Sequence, residues 1–568
     1  MNLPESALDL DVDVLAENTT YNIVLQVALR AFTFLVNAIL LHRTTLAVLG
    51  IANVRLALLY STICFFAREA FRRSCLRPPK QFLMPGVCNV VWLCPLASVI
   101  VGLLSGFVWT YLLVRPDDIA EIKHYTASVW LYVFAVVIES IAEPLWLLFQ
   151  NLKVLKVKVV IEGLQNFLRT IFVLLMVLKY PNLSLLAFSL SMVASSLLYT
   201  ILYYGYAFLM YRPSPLADAE WRKREFVLSS VWPKPSRGLD RDSLCLIWSF
   251  FKHGIAKQFL TEGERYMMTF FNMLDFTDQG TLSVISNVGS LFPRIILAPL
   301  EESSYAYFSQ NVERGKSLRF QNERIFSRVH QTLSSLLKLV SFAGLVIVVF
   351  GQSYSYTFLK IYAGKQLCSS AGPLLLKCFS LYIWLLAVNG HTECFMFASM
   401  HNRQVDRHRY CLFYFCFVFL LSSFVLCHFL GSVGFILANC INVVCRIIYS
   451  CHFIRSFYQD SGDRFRSPVL GLVPNGSVQG ILLVSLLTTS LSNIIFCCDG
   501  FFNTCTHLVI GVLLLLATVM TILNQEPELR HKLLRFFRDC PFATFRCNNE
   551  RPHGISTDGT RVHSFDCA

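Results

Sequence analysis

Apolar runs of about twenty residues, separated by short polar stretches, recur from about Tyr21 to Leu523. A helix needs about 20 mostly apolar residues to cross the hydrocarbon layer, and fourteen windows meet that length: 20–42, 46–67, 86–114, 124–148, 155–178, 183–211, 242–273, 281–308, 327–350, 373–400, 408–430, 434–457, 470–495 and 502–524. The alternating ten-residue segments of a membrane barrel do not occur, so the spans are helices. The pattern predicts an all-α polytopic membrane protein of about 14 transmembrane helices, with no chain left over for a second soluble domain.

Composition sharpens this. Of 568 residues, 55% are hydrophobic and 15% charged, against about 45–50% and 25% in an ordinary globular domain. Charge then orients the helices. Of 49 Lys plus Arg, fifteen lie inside these windows and six in odd-numbered connections, leaving 28 in the even-numbered connections and the C-terminal tail. These include Arg72, Arg73, Arg77 and Lys80, Arg222 to Arg224, Arg314, Lys316 and Arg319, and Arg530, Lys532, Arg535 and Arg538. The positive-inside rule makes that side cytosolic, together with both termini. The net charge of +13 then faces anionic lipid, and nucleic acid is not an expected partner.

Met1 to Glu17 has neither a basic n-region nor a small-residue cleavage site, so the first span is expected to target the chain and stay. Most of the twenty cysteines fall within spans as small apolar residues, and no Cys/His spacing suggests a metal site. A disulfide has an opening only at Cys497, Cys498 and Cys505, in an odd-numbered connection.

Internal repetition is the most informative feature. Arg30 and Asn37 match Arg265 and Asn272 at an offset of 235. Asn53 matches Asn287, and Glu69 matches Glu302 one or two residues out of step. At an offset of 250, Tyr132 matches Tyr382, Glu139 matches Asn389, Glu143 matches Glu393 and Tyr199 matches Tyr449. The expected organisation is an acidic cytosolic tail (1–19), an N-lobe of six helices (20–211), a proline-bearing cytosolic linker (212–241), a C-lobe of six helices (242–457), an added helix pair (458–524) and a cytosolic tail (525–568). Six is even, so both lobes enter the membrane in the same sense, as in alternating-access transporters.

Charges within a span are costly, and they mark a wet cavity or a partner. Lys252, Lys257, Lys338 and Lys377 lie near enough to span ends to snorkel, whereas Arg30, Arg55, Arg265 and Arg294 sit deeper. Arg30 and Asn37 are seven residues apart on one helix face, and Arg265 and Asn272 repeat the arrangement. Guanidinium groups bind phosphate oxygens bidentately and stay charged, so Arg30, Arg55 and Arg265 are candidate diphosphate ligands. The alternative is internal pairing, of Arg55 with Glu69 or of Arg265 with Glu262. Glu139 and Glu143 share a face beside Pro144, with Asn389, Gly390 and Glu393 in register. With Asn37 and Asn272 they can line a cavity for sugar hydroxyls or a proton, or they can be structural partners for arginines. Glu69, Glu262, Arg294 and Glu302 are candidates for supporting ion pairs.

Residues Asn53 to Leu56, Leu59 to Thr62 and Ala67 to Arg73 resemble the Rft-type proteins of the endoplasmic reticulum. So do Gln258 to Tyr266, Glu301 to Ser303, Asn389-Gly390 with Thr392 to Phe395, and Gly431 to Cys440. The resemblance covers roughly residues 20 to 460. It implies a member of the multidrug/oligosaccharidyl-lipid/polysaccharide exporter superfamily, with a multi-pass place in the reticulum membrane. The implied role is moving the lipid with five mannoses and two N-acetylglucosamines on dolichyl diphosphate (Man5GlcNAc2-PP-dolichol) from the cytosolic to the lumenal leaflet for protein N-glycosylation. In related murein-precursor flippases arginines line a cationic cavity, and the matching positions here are Arg30, Arg55 and Arg265.

The expected mechanism is non-enzymatic and needs no cofactor. Its partners are the dolichyl-diphosphate oligosaccharide, membrane lipids and proteins of the glycosylation pathway. Two rivals are a non-transporting accessory or scaffold acting through basic surfaces such as Arg68, Arg72 and Arg73, and a cation-coupled small-molecule exporter. The topology places the sequons at Asn18 and Asn475 on the cytosolic side, and the one at Asn182 on the lumenal side but against the membrane, so no glycan is expected at any of them. Endoglycosidase treatment of an Asn182→Gln variant should leave its electrophoretic mobility unchanged, and a shift would overturn the topology.

Overall fold

The computed structural model describes residues 31–76, 85–114, 116, 124–152, 154–210, 232–233, 238–316, 318–459, 467–497, 500–527 and 530. Within them lie helices in all fourteen predicted windows: α1 (Ala31–Leu41), α2 (Leu46–Ser74), α3 (Gly86–Leu112), α4 (Tyr125–Ser140 and Glu143–Asn151), α5 (Leu155–Lys179), α6 (Ser184–Met210), α7 (Arg241–Phe270), α8 (Phe276–Asn311), α9 (Glu323–Ala363), α10 (Gly372–Ser399), α11 (Asn402–Leu430), α12 (Ser432–Gln459), α13 (Gly476–Phe496) and α14 (Phe501–Gln525). The N-terminal tail, Arg30, most of the 212–241 linker and nearly all of the C-terminal tail lie outside the described residues.

Eleven of these helices are long and apolar enough to cross a membrane, and α4 makes a twelfth if its two parts, bent by 42°, are one span. Its break falls at Ile141 and Ala142, just ahead of Pro144, which cannot donate a backbone hydrogen bond. Helix α7 has the length but carries Lys252, Lys257, Glu262, Glu264 and Arg265. Such a helix is stable in a bilayer only where protein or water covers its charged face, and α7 packs against α2 and α11.

Among the described residues, four short π-helical turns interrupt the α-helical ladder, at Ile51–Leu56 and Phe65–Glu69 in α2, Val108–Leu112 in α3 and Pro293–Leu297 in α8. A π turn inserts one residue and rotates the following side chains about the axis. Three of the four contain an intramembrane arginine: Arg55, Arg68 and Arg294.

The first six helices meet the next six along the α2–α7 and α2–α8 seams. On the face carrying the odd-numbered connections, α2 and α8 touch backbone to backbone. A Cβ on Gly50 would stand 2.2 Å from the Phe276 carbonyl oxygen, and one on Gly280 only 1.9 Å from that of Leu46. Farther along the α2–α7 seam, Ser61 donates to Glu262 (3.0 Å) and the Thr62 and Tyr266 hydroxyls pair at 2.8 Å. The added pair α13–α14 is fastened to α9: Ser353 donates to Thr489 (3.0 Å), the Tyr354 hydroxyl donates to the His507 carbonyl (2.8 Å), and Lys338 pairs with Glu526 at 2.9 Å.

Overpacking of a tight contact costs about 1–3 kcal/mol, and at Gly280 the obstacle is backbone, which cannot turn aside. Gly280→Leu should lower the thermal midpoint of the purified protein, while Gly480→Leu on α13, where a Cβ meets open space, should not. Equal midpoints for the two variants would show that the α2–α8 contact is not close.

Candidate functional site: a polar cavity between the helix halves

A cavity of about 480 Å³ opens between helices of the two halves. Its polar lining comes from Asn37 of α1, Asn53 of α2, Asn166 and Arg169 of α5, and Asn287 and Arg294 of α8, with Tyr362 of α9 on its wall. Two guanidinium groups and four carboxamides offer many donors, and among the lining residues no carboxylate competes for them. That donor set fits an anion carrying hydroxyl-rich groups. Val288 and Leu291 also border a second space of about 570 Å³, walled by apolar residues of α8, α9, α10 and α14 such as Phe292, Phe350, Phe358 and Leu515. A polar chamber that shares a wall with an apolar groove suits an amphiphile.

The predicted diphosphate ligands are placed otherwise. Arg30 lies outside the described residues. Arg55 is 0% exposed and therefore meets no ligand in this state. Its Nη1 donates to the Val114 carbonyl (2.5 Å), its Nη2 to Asn272 Oδ1 (3.0 Å), and its guanidinium lies 4.5 Å over the Phe276 ring. Arg55 thus ties α2 and the end of α3 to the α7–α8 connection. Asn272 fits that place because it follows the end of α7 with φ of +47°, a conformation that asparagine tolerates better than most residues. Its role here is to receive Arg55 rather than to line the cavity. Arg265 is 42% exposed and pairs with Glu262 at 2.9 Å, the internal alternative weighed from the sequence, and it is not among the cavity-lining residues.

The carboxylates have also found arginines. Glu139 accepts from Arg68 Nη1 (2.8 Å) and from the Tyr60 hydroxyl (2.8 and 2.9 Å), with Ser196 at 3.4 Å. Glu143 takes Arg72 in a two-pronged pair (2.5 and 2.8 Å) and lies 3.3 Å from Arg68 Nε. Arg72 and Lys158 sandwich the Trp146 ring at 3.9 and 3.8 Å, and the Trp146 indole donates to Glu162 (3.0 Å). Arg68 is buried, which removes it from the basic surface that the scaffold alternative invoked. Glu69 pairs with Arg73 at 2.7 Å on a half-exposed face. Across the pseudo-repeat, Glu393 takes Arg446 bidentately (2.8 and 2.6 Å), Asn389 is buried, and Glu302 is exposed. Arg294, expected among the supporting ion pairs, lines the cavity.

Asn37, singled out from the sequence, lines this cavity together with Arg169, Asn53, Asn166 and Asn287, to which sequence reasoning assigned no place in the site. Two signals pointed at them. Asn53 and Asn287 repeat between the halves, and Asn166 and Arg169 are three residues apart on one face of α5. Elsewhere, Cys497 is disulfide-bonded and Cys505 is free. Among the described residues no group of three or more His, Cys, Asp or Glu side chains could hold a metal ion.

A helical bundle of this kind, with an arginine-bearing chamber at the junction of its halves, has the build of a membrane transporter. The solved structure of the lipid II flippase MurJ in an inward closed conformation shares the fold: TM-score 0.55 at 12% identity, over 90% of this chain and 99% of that one. The chain belongs to the Rft protein family, whose sequence model matches residues 15–535. It is 40% identical to the Man(5)GlcNAc(2)-PP-dolichol translocation protein RFT1 of Xenopus tropicalis, over 90% of this chain and 95% of that protein. It is 38% identical to the mouse protein of the same name, over 90% and 94%.

Removing one member of a buried ion pair leaves the other charge uncompensated, at a cost of about 3–5 kcal/mol. Glu143→Ala should therefore be strongly destabilising in detergent unfolding. Adding Arg72→Met should recover part of the loss, because the second change removes a stranded cation. A double variant as unstable as the two single losses added together would mean that Arg72 and Glu143 do not interact.

Proposed function

We propose that this protein moves a dolichyl-diphosphate oligosaccharide, with the Man5GlcNAc2 glycan named for its relatives, from the cytosolic to the lumenal leaflet of the endoplasmic reticulum membrane. The observation that carries the reading is the chamber bearing Arg169 and Arg294 beside an apolar groove. The diphosphate docks on those two arginines, the sugar hydroxyls meet Asn37, Asn53, Asn166 and Asn287, and the polyprenyl chain lies along the groove toward lipid. Arg30, Arg55 and Arg265 are assigned to other stages of the cycle, since Arg55 and Arg265 reach an anion only after releasing Asn272 and Glu262. No covalent bond is made or broken.

In this reading the 20–211 and 242–457 units rock against each other, and 458–524 stays fastened to α9. The face of the odd-numbered connections is lumenal and closed here by Gly50, Gly280 and Arg55. The excess of Lys and Arg on the other face supports that orientation, as does the disulfide at Cys497, since disulfides persist in oxidising compartments. Pathway proteins can associate with the even-numbered face.

Reconstitution in vesicles containing a short-chain dolichyl-diphosphate heptasaccharide tests the proposal. Wild type should equilibrate the lipid between leaflets. Because a hydrogen bond to a charged group contributes about 1.5–3 kcal/mol, Arg169→Ala with Arg294→Ala should slow equilibration by about tenfold or more. Equal rates in wild-type and empty vesicles would sink the transport reading, and equal rates in wild type and the double variant would sink the assignment of the cavity.

A further inference from the structure

The ion networks of the two halves occupy corresponding positions but do not carry the same charge. The offset that pairs Glu69 with Glu302 also pairs Arg68 with Glu301 and Arg72 with Tyr305. The offset that pairs Glu143 with Glu393 also pairs Glu139 with Asn389 and Ser196 with Arg446. In the first half, two guanidinium groups face two carboxylates, and Glu139 and Glu143 each accept charged hydrogen bonds. In the second, one guanidinium faces two carboxylates. Arg446 gives Nε and Nη2 to the two oxygens of Glu393, and Glu301 stands where its twin position supplies a cation.

Glu301 is held close to this pair. Its Oε1 would lie 1.8 Å from a Cβ on Gly390, so the carboxylate packs onto the α10 backbone in space that a side chain at 390 would take, and the Cys394 thiol donates to the Glu301 carbonyl (3.3 Å). Among the described residues its carboxylate accepts no hydrogen bond. A second observation points the same way. Asn389, 2% exposed, has an Oδ1 with no hydrogen-bond partner. It lies one turn from Glu393 on the same face of α10, in the place where Glu139 accepts from Tyr60, Arg68 and Ser196.

We infer that Glu301 binds a proton, which neutralises the surplus carboxylate of the second half and turns it into a hydrogen-bond donor at the turn of α10 that carries an orphaned acceptor. An uncompensated charge within the hydrocarbon layer is costly, and a protonated carboxyl donates where a carboxylate only accepts. A metal cation fits poorly, because Arg446 already occupies both oxygens of Glu393 and repels a second cation. The groups facing Glu301 are Glu393 and Arg446, with Cys394 alongside. On α10, His391 turns Nδ1 to the Ala387 carbonyl; on α11, His408 lies edge-on to Phe397 and tilted against Tyr449, within electrostatic reach of Glu393 and Arg446, with neither ring nitrogen hydrogen-bonded among the described residues. On α9, His330 pairs with Tyr458 and Lys338 with Glu526; on α8 itself, Glu302 is exposed and Tyr305 accepts from Arg314. Arg446 is thus the one fixed cation facing the two carboxylates among the described residues. If the transport reading holds, this proton is a coupling ion, taken up on one side of the membrane and released on the other.

Infrared difference spectroscopy of the full chain in lipid nanodiscs reads protonation directly and does not depend on transport. At neutral pH the wild type should show a protonated-carboxyl C=O band that shifts in heavy water and fades as pH rises. Glu301→Gln should lose that band, and Glu302→Gln should keep it. Glu301→Arg, which copies the first half's arrangement and should fold on that account, should also lose it. A wild-type spectrum identical to that of either Glu301 variant overturns the inference. So does a band that disappears on adding sodium at constant pH, which would make the occupant a metal cation.

Discussion

Taking a carboxylate or guanidinium out of water costs several kcal/mol even after relaxation, and this chain carries such groups through the middle of the membrane. Each must meet an opposite charge or a wet cavity, and the helix arrangement follows from that requirement. Arg68 and Arg72 hold α2 against α4 through Glu139 and Glu143. Arg446 does the same for α12 and α10 through Glu393. Helix α7, too charged to face lipid on every side, runs along the seam between the halves, where Ser61 reaches Glu262. The π turns belong to the same account, since each of three re-aims a segment that carries an arginine.

Near the face of the odd-numbered connections the halves meet through two kinds of contact with different strengths. The Gly50–Gly280 crossing is a matter of shape, close because neither residue has a side chain. The Arg55–Asn272 hydrogen bond is polar and can be exchanged for water or for an anion when the halves separate. Arg169 and Arg294, in contrast, already line open space. On the proposed transport reading, an anionic lipid would be engaged in two stages, first by the pair of cations in the chamber and then by Arg55 as the seam parts.

The halves share residues at matching offsets, yet they differ in charge. Glu143 and Glu393 keep a bidentate arginine in each half, but the arginine comes from α2 in one and from α12 in the other. That exchange leaves the first network balanced and the second with an extra carboxylate. Duplicated scaffolds of this kind can keep one copy as a brace while the other acquires a titrating group.

The fourteen helices were legible in the sequence because burial in lipid demands long apolar runs, and the distribution of lysine and arginine is what the proposed orientation rests on. The repeat was legible too, and with it the pairing of positions such as Asn53 with Asn287. Partnerships were not. Arg55 read as an open cavity arginine, since nothing local reveals that Val114 and Asn272, far away in the chain, converge on it. Arg68 and Arg72 read as a basic surface, because only the packing of α2 against α4 shows that two glutamates wait there. The sequence determined which groups are charged and roughly how deep they sit, through periodicity and length. Tertiary structure alone decided which charges neutralise one another and which face water, because a hydrogen bond depends on ångström-scale contacts between segments many residues apart.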